Sequence, residues 1–138
     1  MKNNAQKQIV TKLAFIVIAL MFASIASAQH KAPWNVPKTA MNMKNPFPAD
    51  ASSLERGKNS YQRDCVQCHG KEGKGDGLKA GKVQKKVTDL GSDAIQKQTD
   101  GELFWKISEG RRPMPLKDLT NDQRWDIVNY MRTFTKKD

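Results

Sequence analysis

Cys65-Val66-Gln67-Cys68-His69-Gly70-Lys71-Glu72-Gly73-Lys74-Gly75-Asp76-Gly77 is the stretch on which the reading of this chain turns. It holds both cysteines of the protein and one of its two histidines. Two thiols three residues apart, with an imidazole directly after the second, form the C-x-x-C-H spacing of covalent haem attachment. Each thiol can add to one vinyl group of a single haem, and His69 can turn onto the iron as proximal ligand. Three other readings compete. A thioredoxin-like redox pair asks for a βαβ setting, and no alternating β-branched run of useful length occurs. A zinc site needs a further Cys or His, and only His30 is left. A simple local disulfide leaves His69 and the lysine-rich segment after it unexplained. The glycines after His69 are not a phosphate cradle, because the G-K-[ST] ending is missing and no strand precedes them. They predict a tight turn where the backbone has no room for a Cβ.

Working outward, three helices are expected, each opened by the reciprocal S/T-x-x-E/Q cap. Ser52 with Glu55 opens the first, over about 53–64, with Leu54, Gly57, Tyr61 and Cys65 on one face. Thr99 with Glu102 opens the second, over about 100–109, with Leu103, Phe104 and Ile107 inward and Gly110 ending it. Thr120 with Gln123 opens the third, over about 121–134, carrying Trp125, Ile127, Val128, Tyr130 and Met131. The domain is predicted all-α. Residues 70–98, rich in Lys and Gly, show no long regular element, and such a segment needs something to fold around.

The sixth position on an iron held by His69 has few candidates. Met131 falls mid-helix and reads as core, and Met41 and Met43 precede the attachment helix. Met114 lies in Gly110-Arg111-Arg112-Pro113-Met114-Pro115, where the two prolines fix φ and remove backbone donors. A thioether on such a stiff loop is what a Met/His haem requires, so Met114 is the expected distal ligand. The alternatives are a Pro-rich turn whose Met fills a gap, or a bis-His site through His30.

The remaining chain sets the context. Its 138 residues allow one ordinary domain, which excludes large enzymes, repeat arrays and multi-metal sites. Lys2, Lys7 and Lys12 precede an apolar, charge-free stretch over residues 13–28 that closes on Ala26-Ser27-Ala28. That stretch is shorter than the ~20 residues a spanning helix needs. Residues 1–28 are therefore expected to be a signal peptide cleaved after Ala28, with an uncleaved anchor as the alternative. Export to the periplasm follows. Residues 29–50, with Pro33, Pro37, Pro46 and Pro48, are expected to form an extended arm pinned by Trp34 and Phe47, and residues 51–138 the helical domain.

Residues 50–136 resemble the class I monohaem c-type cytochromes of bacteria. The resemblance is carried by Cys65-Val66-Gln67-Cys68-His69, the glycine-rich turn after it, the loop around Met114, and the closing segment from Trp125 to Tyr130. It implies a small cytochrome c fold, with three main helices wrapped around one covalently attached haem c. It also implies that Gly57 and Tyr61 cross the last helix near Ile127 and Tyr130. The arm with Pro33-Trp34 and Asn45-Pro46 resembles that of small exported cytochromes in respiratory chains.

The net charge is +10, and Lys71, Lys74, Lys79, Lys82, Lys85 and Lys86 crowd the segment after the motif, with Arg111 and Arg112 beside Met114. Such a run is a solvated face, a set of partners for haem propionates, or a surface that steers an acidic redox partner. Export and the lack of a recognition module exclude nucleic acid. A His/Met iron offers no open position to a substrate. The expected function is single-electron transfer, as carrier or electron-transfer subunit rather than enzyme. Donors would be a quinol-oxidising complex or a dehydrogenase, acceptors an oxidase or reductase, with membrane association through a complex or an uncleaved leader. If Met114 does not bind, a haem enzyme or gas sensor is the alternative. A colourless protein would instead point to a disulfide-bonded or zinc-binding module.

Overall fold

Polar side chains that satisfy the first free N–H groups of each long helix decide where the helices begin. The computed structural model describes residue 3, residues 34–83 and residues 86–135. The leader (apart from Asn3), the cleavage point, His30 and Lys85 lie outside the described residues. Among the described residues from 34 onward six helices follow in order: α1 (Lys38–Met41), α2 (Ala51–Asp64), α3 (Val66–His69), α4 (Asp93–Gln96), α5 (Asp100–Glu109) and α6 (Asn121–Arg132). A single 3-10 turn, Ala80–Lys82, lies between α3 and α4. The chain divides into two units between Pro33 and Trp34, and these helices all belong to the second. Among the described residues there is no strand, only an isolated antiparallel bridge between Arg111 and Met114. No helix among them is long and apolar enough to cross a membrane.

Two of the three expected caps form. Thr99 accepts from Glu102 N while Glu102 accepts from Thr99 N, and Thr120 and Gln123 do the same. The third does not. Asp50 caps α2 by accepting from Ser53 N at 2.8 Å, so the helix starts at Ala51 and Ser52 Oγ accepts from Arg56 instead. A carboxylate there also meets the positive end of the helix dipole. At the other end of the chain α6 stops at Arg132, short of the expected Phe134. The segment after the motif gains the 3-10 turn and α4, and the arm carries one helical turn, α1.

Helices α2 and α6 cross where Gly57 has no side chain. A Cβ there would lie 2.1 Å from the Asp126 carbonyl oxygen and 3.0 Å from Tyr130 Cβ, so only glycine lets the backbones approach. Beside that point Tyr61, Tyr130 and Phe134 form an aromatic triad, with ring centres 5.1–5.5 Å apart. Phe104 of α5 stacks on Trp125 of α6 at 4.0 Å, joining the third helix to the core. Tyr61, Leu103, Ile107, Trp125, Ile127, Val128 and Met131 are all buried there. The α2 face differs from expectation. Leu54 is only half-buried, while Ser53 and Ser60 are buried. The reason is Asp126, which is 2% exposed. Its carboxylate accepts from Ser53 Oγ at 2.6 Å and from Arg56 Nε at 2.7 Å. Asn129 donates to Ser53 Oγ at 2.8 Å, and Asn45 of the arm donates to Asn129 at 2.8 Å. A buried carboxylate so paired avoids the large cost of an isolated buried charge.

The arm runs antiparallel along α5. Met41 O accepts from Thr99 Oγ1 at the start of α5, and the Trp34 ring stands edge-on to Trp105 near its end, centres 6.0 Å apart. Phe47 packs against the core from its polar side.

Candidate functional site

Helix α2 delivers Cys65 at its C-terminal end, with Cys65 N donating to Tyr61 O at 2.8 Å. One further helical turn, α3, then carries Cys68 and His69, whose backbone N–H groups both donate to Cys65 O at 3.2 and 3.0 Å. The three motif residues therefore share one rigid turn. The carbonyls this turn leaves open are met by the glycine-rich segment folding back over them. Gly75 N donates to His69 O at 2.8 Å, Gly77 N to Cys68 O at 3.2 Å, and Lys79 N to Gln67 O at 2.7 Å. That return needs positive φ at Gly70, Gly73 and Gly75, and a Cβ on Gly75 would lie 2.5 Å from Val87 O. The expected tight turn is present. From below, the Tyr61 hydroxyl donates to Gly70 O at 2.8 Å. Burial, followed by the nearby Cys65, raises the Tyr61 pKa, which keeps that hydroxyl a donor.

His69 Nδ1 lies 3.3 Å from Thr88 O. A backbone carbonyl can only accept, so in the neutral ring the proton sits on Nδ1 and the lone pair on Nε2. That is the tautomer a metal-ligating imidazole requires, oriented by the partner of its other nitrogen. Cys65 and Cys68 are free thiols, both half-buried. Burial, then the neighbouring Asp64 charge, pushes the Cys65 thiol up to about 12, partly countered by Lys117. A reactive redox dithiol needs the opposite shift, toward a stable thiolate.

Met114 is half-buried on the loop that leaves α5 through Gly110. Its backbone is paired both ways with Arg111, Arg111 N donating to Met114 O at 2.9 Å and Met114 N to Arg111 O at 2.8 Å. The Arg112–Pro113 peptide between them is cis. Lys117 lies on the same loop, and its positive charge acts on Cys65. The other methionines stand elsewhere. Met131 is 5% exposed in the core, and Met41 sits against Thr99, one α5 length, ~15 Å, from Gly110.

These residues fit a haem. Two free thiols and an imidazole of the right tautomer occupy one helical turn. Leu78, 88% exposed, is bracketed by the two hydrogen bonds from Gly77 and Lys79 onto that turn. Leu116, 65% exposed, stands two residues after Met114. An exposed apolar side chain fixed beside such a donor set, as Leu78 is, is what a flat apolar macrocycle covers.

Around this centre Lys71, Lys74, Lys79, Lys82 and Lys86 are exposed, with Lys74 paired to Glu72. Arg112 is exposed, whereas Arg111 turns back over the Trp34 ring, 4.3 Å from its centre. Sequence reasoning does not reach Thr88, since any residue can present a carbonyl. Nor does it reach the Tyr61 hydroxyl's role at Gly70, although an aromatic with a polar tip on the attachment helix was a usable signal.

The family model described as Cytochrome c matches residues 54–135. Among solved structures, a chain of the Kuenenia stuttgartiensis reducing HAO-like protein complex Kustc0457/Kustc0458 has a similar fold, with a TM-score of 0.58 at 23% identity. The match covers 78% of this chain and 53% of that one, so this chain spans about half the length of the structure it resembles. No curated protein matches.

Proposed function

This chain belongs to the cytochrome c family, and from that premise we propose that it transfers single electrons through one haem c bound at Cys65 and Cys68, with His69 and Met114 as axial ligands. The observation that carries the proposal is the α3 turn, where both free thiols and His69, its Nδ1 proton committed to Thr88 O, are held together. When bound, haem supplies a one-electron couple at its iron, with a potential raised by a thioether ligand. The residues of the chain hold and orient. Thr88 sets the His69 tautomer, the Arg111 pairing and the flanking prolines stiffen the backbone of Met114, and Leu78 and Leu116 offer apolar cover against water. Two protein ligands leave no position for a substrate, which supports a carrier or electron-transfer subunit over an enzyme.

The chain acts in the periplasm, exported by residues 1–28, within a respiratory chain. Its partners are redox proteins with acidic faces, which the exposed lysines steer in a salt-dependent way. The solved relative comes from a protein complex, which supports a place as a subunit of such an assembly as well as free shuttling.

The test is the absorption spectrum of the protein made alongside haem-attachment machinery, oxidised and reduced, with haem counted per chain. One haem per chain and a weak near-infrared band in the ferric state, lost in Met114→Ala, are expected. Attached haem without that band, and carbon monoxide binding to the ferrous form, would overturn the Met114 assignment and favour an enzyme or sensor.

A further inference from the structure

We propose that Trp34 is a positioning residue for the ligand loop: its ring holds Arg111, and Arg111 holds Met114. The inference rests on the reading of Met114 as an axial ligand.

The loop from Gly110 to Pro115 is shaped by its own hydrogen bonds, since Arg111 and Met114 pair with each other in both directions. That pairing makes the turn stiff but ties it only to itself. Anchorage to the rest of the molecule comes at Arg111, whose guanidinium lies 4.3 Å above the centre of the Trp34 ring. Attraction between a cation and the face of an indole is the strongest of its kind among the aromatic side chains. The indole is itself located. Its ring stands edge-on to Trp105, one turn before the end of α5, with an interplanar angle of 82°. The arm behind it is tied down by Thr99 Oγ1, which donates to Met41 O. A line of contacts thus runs from the arm through Trp34 and Arg111 into the backbone of Met114. Of the two adjacent arginines, Arg112 stands exposed while Arg111 is half-buried over the ring, so the pair is not a uniform solvated patch. The arm is therefore part of the device that presents the thioether, beyond its role in packing.

The experiment measures how readily added imidazole displaces the methionine in the haem-loaded ferric protein, followed by loss of the near-infrared band. Trp34→Ala should raise the apparent imidazole affinity by on the order of tenfold, and Trp34→Phe by less, because it keeps an aromatic face. Arg111→Gln should raise it at least as much as Trp34→Ala, and the double variant should not exceed Arg111→Gln, since Trp34 acts through Arg111. Asn45→Ala, which loosens the arm elsewhere, should lower the thermal midpoint yet leave imidazole affinity unchanged. If the unmodified protein lacks the band, or Met114→Ala keeps it, the ligand assignment fails. If the band behaves as expected but Trp34→Ala and Arg111→Gln leave imidazole affinity unchanged, the brace is wrong. It is equally wrong if Asn45→Ala raises affinity as much as Trp34→Ala does.

Discussion

At the α2–α6 crossing, Ser53, Arg56 and Asn129 converge on the Asp126 carboxylate or its partner, and three aromatic rings close the gap beside them. Around His69 the partners are almost all main-chain atoms: the carbonyls of Cys65, Cys68, His69 and Thr88, and the amides of Gly75 and Gly77. Both regions are tight, but the first is fitted by residue type and the second by backbone path. The comparison teaches that the rigid setting of the attachment turn depends on where the chain goes more than on which side chains it carries there. The physical reason is that a helix end exposes unpaired carbonyls, and a glycine-rich returning segment can satisfy them without needing side chains.

Four measurements break or sharpen this contrast. The largest effect belongs to Cys65, which lies where the two regions meet. With its thiol pushed from 9.0 up to about 12, its thiolate fraction near pH 8 falls roughly a thousandfold below that of an ordinary thiol. Alkylation of the haem-free chain should be slow at Cys65 until denaturant is added, and equal rates with and without denaturant would contradict the burial. The sign for stability follows. The raised pKa favours the fold fully below pH 9 and this contribution is lost as pH rises through about 12. Next, Gly57→Ala drives a Cβ into the Asp126 carbonyl and should cost about 3 kcal/mol in urea unfolding. Gly75→Ala tests the main-chain region in the same way. A side chain at φ +76 facing Val87 O should cost about 2 kcal/mol. Should it prove harmless, the backbone-fitted account of the turn is wrong. The smallest effect is expected at Thr88. Since its carbonyl and not its hydroxyl meets His69 Nδ1, Thr88→Ala should change stability by less than about 0.5 kcal/mol and leave the haem spectrum unaltered.

The same contrast explains what could be read without the structure. Helix starts at Thr99 and Thr120 were legible because a capping box is a local exchange between residues three apart. Ser52 and Glu55 satisfy the same pattern, yet Asp50 takes the cap, since two rival caps on one helix are separated only by the path of the chain before them. The inward Ile127, Val128 and Met131 followed from periodicity, whereas the burial of Asp126 and Asn129 did not, because polar residues are buried only when partners from α2 and the arm arrive to satisfy them. At the candidate site, the two thiols, His69 and the glycine turn stood in one uninterrupted stretch. The Thr88 carbonyl carries no signature of residue type, and the Trp34–Arg111 contact joins positions far apart in the chain.

By itself, then, the sequence determined the helical class and the residue pattern of the candidate site: the spacing of Cys65, Cys68 and His69, the all-α pattern, and the stiff loop at Met114 are local properties that nearby residues impose on one another. Only the tertiary structure decided which carbonyl orients His69, which carboxylate lies buried between α2 and α6, and how the arm reaches the Met114 loop. Those are meetings between distant segments, and a meeting is settled by the packing of the whole chain rather than by any stretch of it.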